Sequence, residues 1–287
     1  MSKKYYFILP AVIFLFVFVG YPIIYNIWLS FQNLDVTNLR SGESKFVFIS
    51  NYISLFKKPD IMNSIIVTFI FTVLSIGAQF ILGFALALFF NQNFKLSHFI
   101  RGLLMVAWVI PITISALTNK FLFSLDGGLV NYILLKIGLL SQAHGWLVDS
   151  KTALLTVVLV NVWIGTPFNM ILLLTGLSNI PDTLYESASI DGANYFQTLK
   201  SIVIPYIKPT IYSVLILGFI YTFKVFDLVL ILTGGGPVNS TEVLSMMSYR
   251  QAFGEFNYSM GATVSNILFF ILFFASLIYI KISKKED

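Results

Sequence analysis

The sequence Glu186-Ser187-Ala188-Ser189-Ile190-Asp191-Gly192-Ala193 is a polar interruption in a chain that is otherwise strongly apolar. It continues to Ile204-Pro205 and Pro209, and segments apolar enough to cross a membrane flank it on both sides. A protein that only spanned a bilayer would not need such an interruption. Glycine permits a sharp backbone turn, so the pattern predicts two short helices that meet at Gly192. We call residues 178–209 the polar hairpin.

The composition indicates an all-α, polytopic integral membrane protein. Of the 287 residues, 57% are hydrophobic and 11% are charged, whereas about a quarter of the residues in a soluble domain are charged. The net charge of +5 comes from scattered basic residues, which argues against a nucleic-acid partner. The chain has no cysteine and only His98 and His144 as histidines, so we predict neither a catalytic residue nor a metal site.

Six segments are long and apolar enough to be transmembrane helices, because a helix needs about 20 apolar residues to cross the hydrocarbon core. They cover about 6–31, 61–90, 102–124, 152–177, 209–232 and 259–281. Pro111 interrupts the third segment. The first segment follows Lys3-Lys4 like a signal peptide, but it is too long for one and no cleavage site follows, so we predict an uncleaved span.

An even number of spans places both termini on the same side of the membrane. Basic residues adjoin the span ends on the terminal side, as in Lys3-Lys4 and Lys281–Lys285, which favours cytoplasmic termini. We therefore predict a multi-pass protein of the cell membrane with the polar hairpin in the cytoplasm. A boundary in the chain separates residues 1–58, the first span and its outer loop, from a five-helix core at 59–287.

The polar hairpin contains further helix signals. Pro181 and Asp182 suit the start of the first helix, and Asn194 with Gln197 resembles a capping box that opens the second. We expect Pro205 and Pro209 to end the second helix and to begin the fifth span.

Two charged residues, Lys224 and Asp227, lie inside the predicted fifth span. They are three positions apart and would share one face of a continuous helix. Burying a charge in a span costs at least about 2.5 kcal/mol, so they are expected to pair with each other or with another chain. An ion pair that fixes helix packing and a position on a transport pathway are both open.

The fourth span carries amide and aromatic side chains suited to binding a sugar. Amides donate and accept hydrogen bonds, and aromatic rings stack on the apolar faces of sugars. The candidate pathway residues are Asn161, Trp163 and Asn169 in this span and Tyr221, Lys224 and Asp227 in the fifth span. The alternative is that these residues join neighbouring helices. Gly165-Thr166-Pro167 would kink the span and expose carbonyls to a cavity.

The polar hairpin resembles the EAA loop of binding-protein-dependent ABC importer permeases, whose pattern is E-A-A-x-x-D-G-A followed by I-x-L-P. This chain departs from the pattern at Ser187 and at Ile204. The resemblance implies a type I importer permease fold in which the hairpin docks on a cytoplasmic ATPase. The implied coupling residues are Glu186, Ser187, Ala188, Asp191, Gly192, Ala193 and Pro205.

A second resemblance concerns the transported substrate. Phe226-Asp227, Thr233–Pro237 and Asn239–Leu244 are similar to sugar-importer permeases. This implies import of an oligosaccharide, glycoside or related carbohydrate, with a second homologous permease, two ATPase subunits and an extracytoplasmic solute-binding protein as partners. The chain lacks a Gly-Lys-Ser/Thr phosphate loop, so ATP would be bound by the partners and no cofactor by this chain. An ATP-independent secondary transporter or channel is the alternative, and motifs of an intramembrane enzyme are absent.

Overall fold

The computed structural model describes residues 4–39, 44–92 and 94–283, and most of them are helical. The helices in the first part of the chain are α1 (Lys4–Leu15), α2 (Tyr21–Ser30), α3 (Val36–Leu39), α4 (Ser50–Phe56), α5 (Pro59–Asn91), α6 (Ser97–Val109), α7 (Ile112–Leu122) and α8 (Leu129–Lys136). Those that follow are α9 (Ala153–Ser178), α10 (Asp182–Ile190), α11 (Tyr195–Thr198), α12 (Ile204–Tyr206), α13 (Lys208–Phe223), α14 (Asp227–Leu232), α15 (Leu244–Tyr249) and α16 (Tyr258–Ser283).

Smaller elements also occur among the described residues. Three π-helical segments lie there, at Phe16–Gly20, Leu199–Val203 and Arg250–Gly254. A two-stranded antiparallel sheet pairs β1 (Gln32–Asn33) with β2 (Lys45–Phe46).

The described helices confirm the predicted class of fold. Four apolar helical runs are long enough to cross a membrane: Phe7–Ser30, Pro59–Asn91, Ala153–Ser178 and Tyr258–Lys281. Two bent pairs bring the number to six if each pair is one span, Ser97–Val109 with Ile112–Leu122 and Tyr195–Tyr206 with Lys208–Phe223. The apolar stretch after residue 128 forms only the short helix α8.

Contacts divide the chain into two compact units. One contains the described residues up to Ile65 together with Leu244–Ile271, and the other contains Ile66–Val243 together with the described residues from Leu272 onward. This division differs from a boundary at residue 58, which stays a prediction about domain organisation.

The first unit contains a hydrogen-bonded group that we call the polar clip, formed by Asn26, Tyr52, Ser265 and Asn266. The amide Nδ2 of Asn26 donates to Asn266 Oδ1 at 2.7 Å and to Ser265 Oγ at 3.1 Å. The amide of Asn266 donates to the Tyr52 hydroxyl at 3.4 Å. Polar side chains in a membrane helix need such partners, so the clip joins the first helical run to α16. Asn266 therefore contributes to helix packing within this unit.

The second unit is built around α9. Buried side chains occur on several faces of this helix, as expected of a helix that is apolar all round and lies in a core. In the C-terminal half of α9, Met170, Leu173 and Leu177 pack against Ala87 and Phe90 of α5. At Gly83 of α5 the two backbones approach closely, because a Cβ there would lie 2.8 Å from Cβ of Asn169.

Two breaks in the second unit follow proline. Pro111 separates α6 from α7, which meet at 93°, as its lack of an N–H and its ring predict. The helical run that begins at Tyr195 continues through Pro205 to Tyr206 and bends by 68° at Ile207. The second helix thus ends one residue after Pro205, and Pro209 lies in the first turn of α13, in line with the prediction that these prolines mark the boundary. Proline is tolerated in a first turn, and Pro205 lies at the beginning of α12.

The predicted fifth span is not continuous. Helix α13 ends at Phe223, and a new helix, α14, begins at Asp227. Lys224 and Asp227 therefore do not share the face of one helix. Both side chains are exposed, and among the described residues no ion pair joins them.

Helix α9 is more regular than predicted. It runs through Pro167 as one helix, and the hydroxyl of Thr166 donates to the carbonyl of Val162 at 2.7 Å. The expected break at Gly165–Pro167 is absent, although Pro167 has no N–H to donate to the carbonyl of Trp163.

Candidate functional site

The polar hairpin turns through a Schellman motif at the end of α10. The N–H of Gly192 donates to the carbonyl of Ser189 at 3.2 Å, and the N–H of Ala193 donates to that of Ala188 at 2.9 Å. Gly192 has φ +73°, a left-handed conformation that glycine adopts without a steric penalty. The segment Asp191-Gly192-Ala193 thus ends α10 and reverses the direction of the chain.

A complete capping box opens the second arm of the hairpin. Asn194 Oδ1 accepts from the N–H of Gln197 at 3.0 Å, and Gln197 Oε1 accepts from the N–H of Asn194 at 2.8 Å. This confirms the predicted cap. With the Schellman motif it leaves no unstructured residue between the two arms.

The two ends of the polar hairpin differ in burial. Val203 on the second arm is buried, and at the base the hydroxyl of Tyr206 donates to the carbonyl of Asn179 at 3.1 Å. At the turn, Ile190 is 86% exposed and Phe196 is 77% exposed. We call Ile190, Tyr195 and Phe196 the hairpin tip. The hairpin is therefore fixed to the core at one end and presents an apolar surface at the other.

Electrostatics at the base of the hairpin are mild. Burial raises the pKa of the Tyr185 hydroxyl, and the negative charge of Asp182 raises it further. Tyr185 therefore stays neutral at physiological pH. The carboxylates of Glu186 and Asp191 are exposed beside the turn.

A cavity of about 270 Å³ lies between α9, α13 and parts of α5, α6 and α7. We call it the central cavity. Its lining residues from α9 are Asn161, Ile164, Gly165, Phe168 and Asn169. Those from the other segments are Gln79, Trp108, Ile112, Gly218, Tyr221, Thr222 and Val225.

Three amides of the central cavity form a partly satisfied network. Gln79 Nε2 donates to the carbonyl of Asn161 at 2.9 Å, and Asn169 Nδ2 donates to Gln79 Oε1 at 3.3 Å. Asn161 is only 8% exposed, and its Nδ2 has no hydrogen-bond partner. A buried donor without a partner costs about 1–3 kcal/mol, so an acceptor brought by a ligand would be stabilised here.

Three aromatic rings adjoin these amides. Trp108 stacks on Phe168 at 5.3 Å between ring centroids, and Phe168 meets Tyr221 edge to face at 6.3 Å. Aromatic surface beside a few hydrogen-bonding groups is typical of small-ligand sites.

Residues 79–282 match the family described as "Binding-protein-dependent transport system inner membrane component". The chain belongs to this family. It is 34% identical over 98% of its length to the trehalose/maltose transport system permease protein MalF of Thermococcus litoralis, covering 93% of that protein. It is 29% identical over 99% of its length to the diacetylchitobiose uptake system permease protein DasB of Streptomyces coelicolor, covering 87% of it.

The fold also matches a solved permease. A chain from the crystal structure of a bacterial ABC transporter involved in the import of the acidic polysaccharide alginate superposes with a TM-score of 0.84. The match covers 98% of this chain and 95% of the other, at 23% identity. It confirms the importer permease fold implied by the sequence of the polar hairpin.

The structure of this permease brings together only part of the predicted pathway. Asn161, Asn169 and Tyr221 line the central cavity, but Trp163 does not. Trp163 is 59% exposed on another face of α9, because residues two positions apart in a helix point in different directions. Lys224 lies outside the cavity lining, with Nζ 5.4 Å from the centroid of the Tyr221 ring. Asp227 begins α14.

The predicted coupling residues of the permease lie at or near the turn of the polar hairpin, except for Pro205, which lies in α12 near the end of the second arm. Glu186, Ser187, Asp191, Gly192 and Pro205 are exposed and Ala193 is half-buried. Ala188 is buried, so its side chain packs inside this chain.

Sequence reasoning missed one amide and two aromatic residues of the lining, Gln79, Trp108 and Phe168. Gln79 donates a hydrogen bond to the carbonyl of Asn161, which joins α5 to α9, and it also lines the cavity. Phe168 follows Asn161 by seven positions and Gly165 by three, so helical spacing from Asn161 was the signal that would have found it.

Proposed function

We propose that this permease is the membrane-spanning subunit through which a binding-protein-dependent ABC importer moves an oligosaccharide or glycoside into the cytoplasm. The pathway forms with a second, homologous permease. The energy comes from ATP that two cytoplasmic ATPase subunits bind and hydrolyse. An extracytoplasmic solute-binding protein delivers the sugar, and both termini of the permease lie in the cytoplasm.

One observation carries the proposal: the polar hairpin is the connection between the two helices that supply most of the central cavity. Helix α9 carries Asn161, Phe168 and Asn169 and ends just before the hairpin, and α13 begins at its end and carries Tyr221. Asn169 lies nine residues before the end of α9, about 14 Å along the helix axis. A displacement of the hairpin is therefore transmitted to both walls of the cavity.

The hairpin is stiff enough to transmit such a displacement. Its turn is closed by backbone hydrogen bonds and by the capping box, and its base is packed among Leu177, Ile180 and Val203. ATP binding that favours one arrangement of the ATPase pair would then favour one arrangement of the cavity, because only differential binding shifts a conformational equilibrium. Glu186, Ser187, Asp191 and Gly192 are placed to contact the ATPase, and Ala188 and Ala193 to hold the turn.

The central cavity supports a carbohydrate as the substrate. The Nδ2 of Asn161 lacks a partner that a sugar hydroxyl would provide, and Trp108, Phe168 and Tyr221 offer rings for the apolar faces of the sugar. The relatives named for trehalose/maltose and for diacetylchitobiose point to the same chemical class. We therefore propose disaccharides or short glycosides as the first substrates to test.

The experiment is uptake by the complete importer in proteoliposomes. The permease is reconstituted with its second permease, ATPase and binding protein, and labelled disaccharide is measured with and without enclosed ATP. Asn161→Leu removes the amide, and Phe168→Ala removes the central ring. We expect each change to lower ATP-dependent uptake at least tenfold, with ATPase assembly unchanged. Loss of one hydrogen-bonding or aromatic contact to a ligand is worth about 1–3 kcal/mol.

Trp163→Phe is the matched control, since Trp163 lies on the same helix but outside the central cavity. Normal uptake is expected for it. Uptake that proceeds without ATP would contradict the proposal and support a secondary transporter or channel. Normal uptake by both cavity variants would remove the cavity from the pathway.

A further inference from the structure

An open apolar groove runs between α13 and the last turns of α16, separate from both sites described above. It has a volume of about 220 Å³. The residues that line it are Tyr212, Leu215, Ile216, Ala275, Ile278 and Tyr279. The Ser213 hydroxyl and the Tyr279 hydroxyl lie 3.0 Å apart beside it, which joins the two helices at this level. Both helices are apolar here, so the groove opens toward the hydrocarbon of the bilayer.

Two lysines lie at one end of the groove. Lys208 begins α13 one turn before Tyr212, and its Nζ lies 5.5 Å from the centroid of the Tyr212 ring. Lys281 lies in the last turn of α16, two residues beyond Tyr279, and its side chain is exposed. From the level of the hydrogen bond between residues 213 and 279, the groove lining continues forward to Ile216 on α13 and back to Ala275 on α16. The two helices therefore run antiparallel here, and the start of α13 and the end of α16 lie at the same end. An apolar groove with a cationic end complements an anionic amphiphile.

We infer that this groove binds one anionic phospholipid, with an acyl chain against α13 and α16 and the phosphate beside Lys208 and Lys281. Apart from the hydroxyls of Tyr212 and Tyr279, the lining offers a sugar no side-chain hydrogen-bonding groups, whereas an acyl chain needs none. Basic residues beside membrane helices attract anionic headgroups, and a groove between helices holds the lipid in place. The lysine beside Tyr212 is at the start of the span that follows the polar hairpin, so a lipid bound here would also hold that helix end at the membrane surface.

The test measures lipid binding by native mass spectrometry on the full-length chain purified with its transport partners. Phosphatidylglycerol is titrated as the anionic probe and phosphatidylcholine as the zwitterionic probe. We expect phosphatidylglycerol to bind more tightly. Each basic residue near an anionic headgroup contributes roughly fivefold in affinity, so Lys208→Gln with Lys281→Gln should weaken phosphatidylglycerol binding about 25-fold and leave phosphatidylcholine binding unchanged.

A second variant tests whether the lipid occupies the groove, and it leaves both lysines unchanged. Ala275→Phe places a ring in the groove and should lower the binding of both lipids. The matched controls are Leu277→Phe on the exposed face of the same helix and Lys95→Gln between the second and third spans. Both controls should bind phosphatidylglycerol like the unmodified chain, and unfolding temperatures establish that all variants are folded.

Three results would overturn the inference. The two lipids binding with equal affinity would remove the role of charge, and unchanged binding by Ala275→Phe would place the lipid elsewhere. The third uses the absence of cysteine from the chain, which makes Ile278→Cys a unique thiol. If a crosslinker on that thiol captured a protein subunit of the assembly rather than lipid, the groove would be a protein interface.

Discussion

At the scale of single residues, Gly192 shows how a sequence signal becomes a mechanical property. Its φ of +73° lets the N–H groups of Gly192 and Ala193 bond back to the end of α10. A Cβ there would meet no atom within 4 Å, so space does not limit substitution. The backbone conformation does, because a β-branched residue rarely adopts a positive φ.

Gly192→Val should therefore uncouple the ATPase from transport. The strain is about 1–3 kcal/mol and is relieved when the turn opens. We expect uptake per ATP hydrolysed to fall at least tenfold. The control is Gly138→Val, because Gly138 has a similar φ of +76° and equally open surroundings in the segment after α8. If both variants lost coupling equally, general destabilisation rather than the hairpin turn would be responsible.

Lys224 offers a second prediction at this scale. Its ammonium lies over the Tyr221 ring, which lines the central cavity, so the cation fixes a wall of the site. Lys224→Met should lower sugar uptake severalfold while the subunits still assemble, and Lys224→Arg should restore most of it. Full activity of the methionine variant would show that the cation serves neither packing nor transport.

The same scale shows what the sequence could and could not predict about the site. The amides Asn161 and Asn169 were predictable because a polar side chain in a membrane span needs a hydrogen-bonding partner or a polar cavity. Their position eight residues apart also puts them on one helical face. Trp163 was chosen by residue type alone, and its position two residues from Asn161 already argued against it. Trp108 is contributed by a different helix, so only the packing of α6 against α9 could reveal it.

At the scale of elements, the helices were predictable and their breaks only partly so. Long apolar stretches and Pro111 predicted the spans and the break in the third of them. The helix is interrupted at Lys224–Phe226, where no proline or glycine in the sequence would predict a break. At Pro167 the sequence predicted a break, but α9 continues through this residue. Buried neighbours on several sides of α9 stabilise the helix despite the missing hydrogen bond, which local sequence does not show.

The capping box gives the prediction at this scale. Asn194→Ala removes the acceptor for the N–H of Gln197 and should destabilise the second arm of the hairpin by about 1 kcal/mol. Hydrogen exchange of the backbone amides at 197–203 should quicken roughly fivefold, while α9 is unchanged. Asn194→Asp keeps the acceptor and should exchange like the unmodified chain. No change in the alanine variant would mean that tertiary packing alone holds this arm.

At the scale of the whole molecule, we predict that the ATPase binds this chain at the exposed hairpin tip. Ile190 and Phe196 are large apolar side chains that the permease itself leaves uncovered. Replacing both with serine should weaken ATPase binding about 30-fold, because a central apolar anchor contributes about 2 kcal/mol or more to an interface. Affinity can be measured by titrating purified ATPase onto the permease in nanodiscs.

The control for the tip is Val238→Ser. Val238 is 93% exposed in the segment after α14, so it matches the tip in exposure and apolar character but lies outside the polar hairpin. ATPase affinity should be unchanged by it. Equal affinity of the tip variant and this control would mean that the ATPase docks on another surface.

The polar clip has a consequence for the synthesis of the chain. Asn26 is hydrogen-bonded to residues 239 and 240 positions away, so this long stretch of chain must leave the ribosome before these bonds form. A truncated product that stops before Ser265 lacks both of these partners for the amide in its first helix. An unfinished chain therefore differs from a finished one in its first helix, where the carboxamide of Asn26 lacks these two bonds.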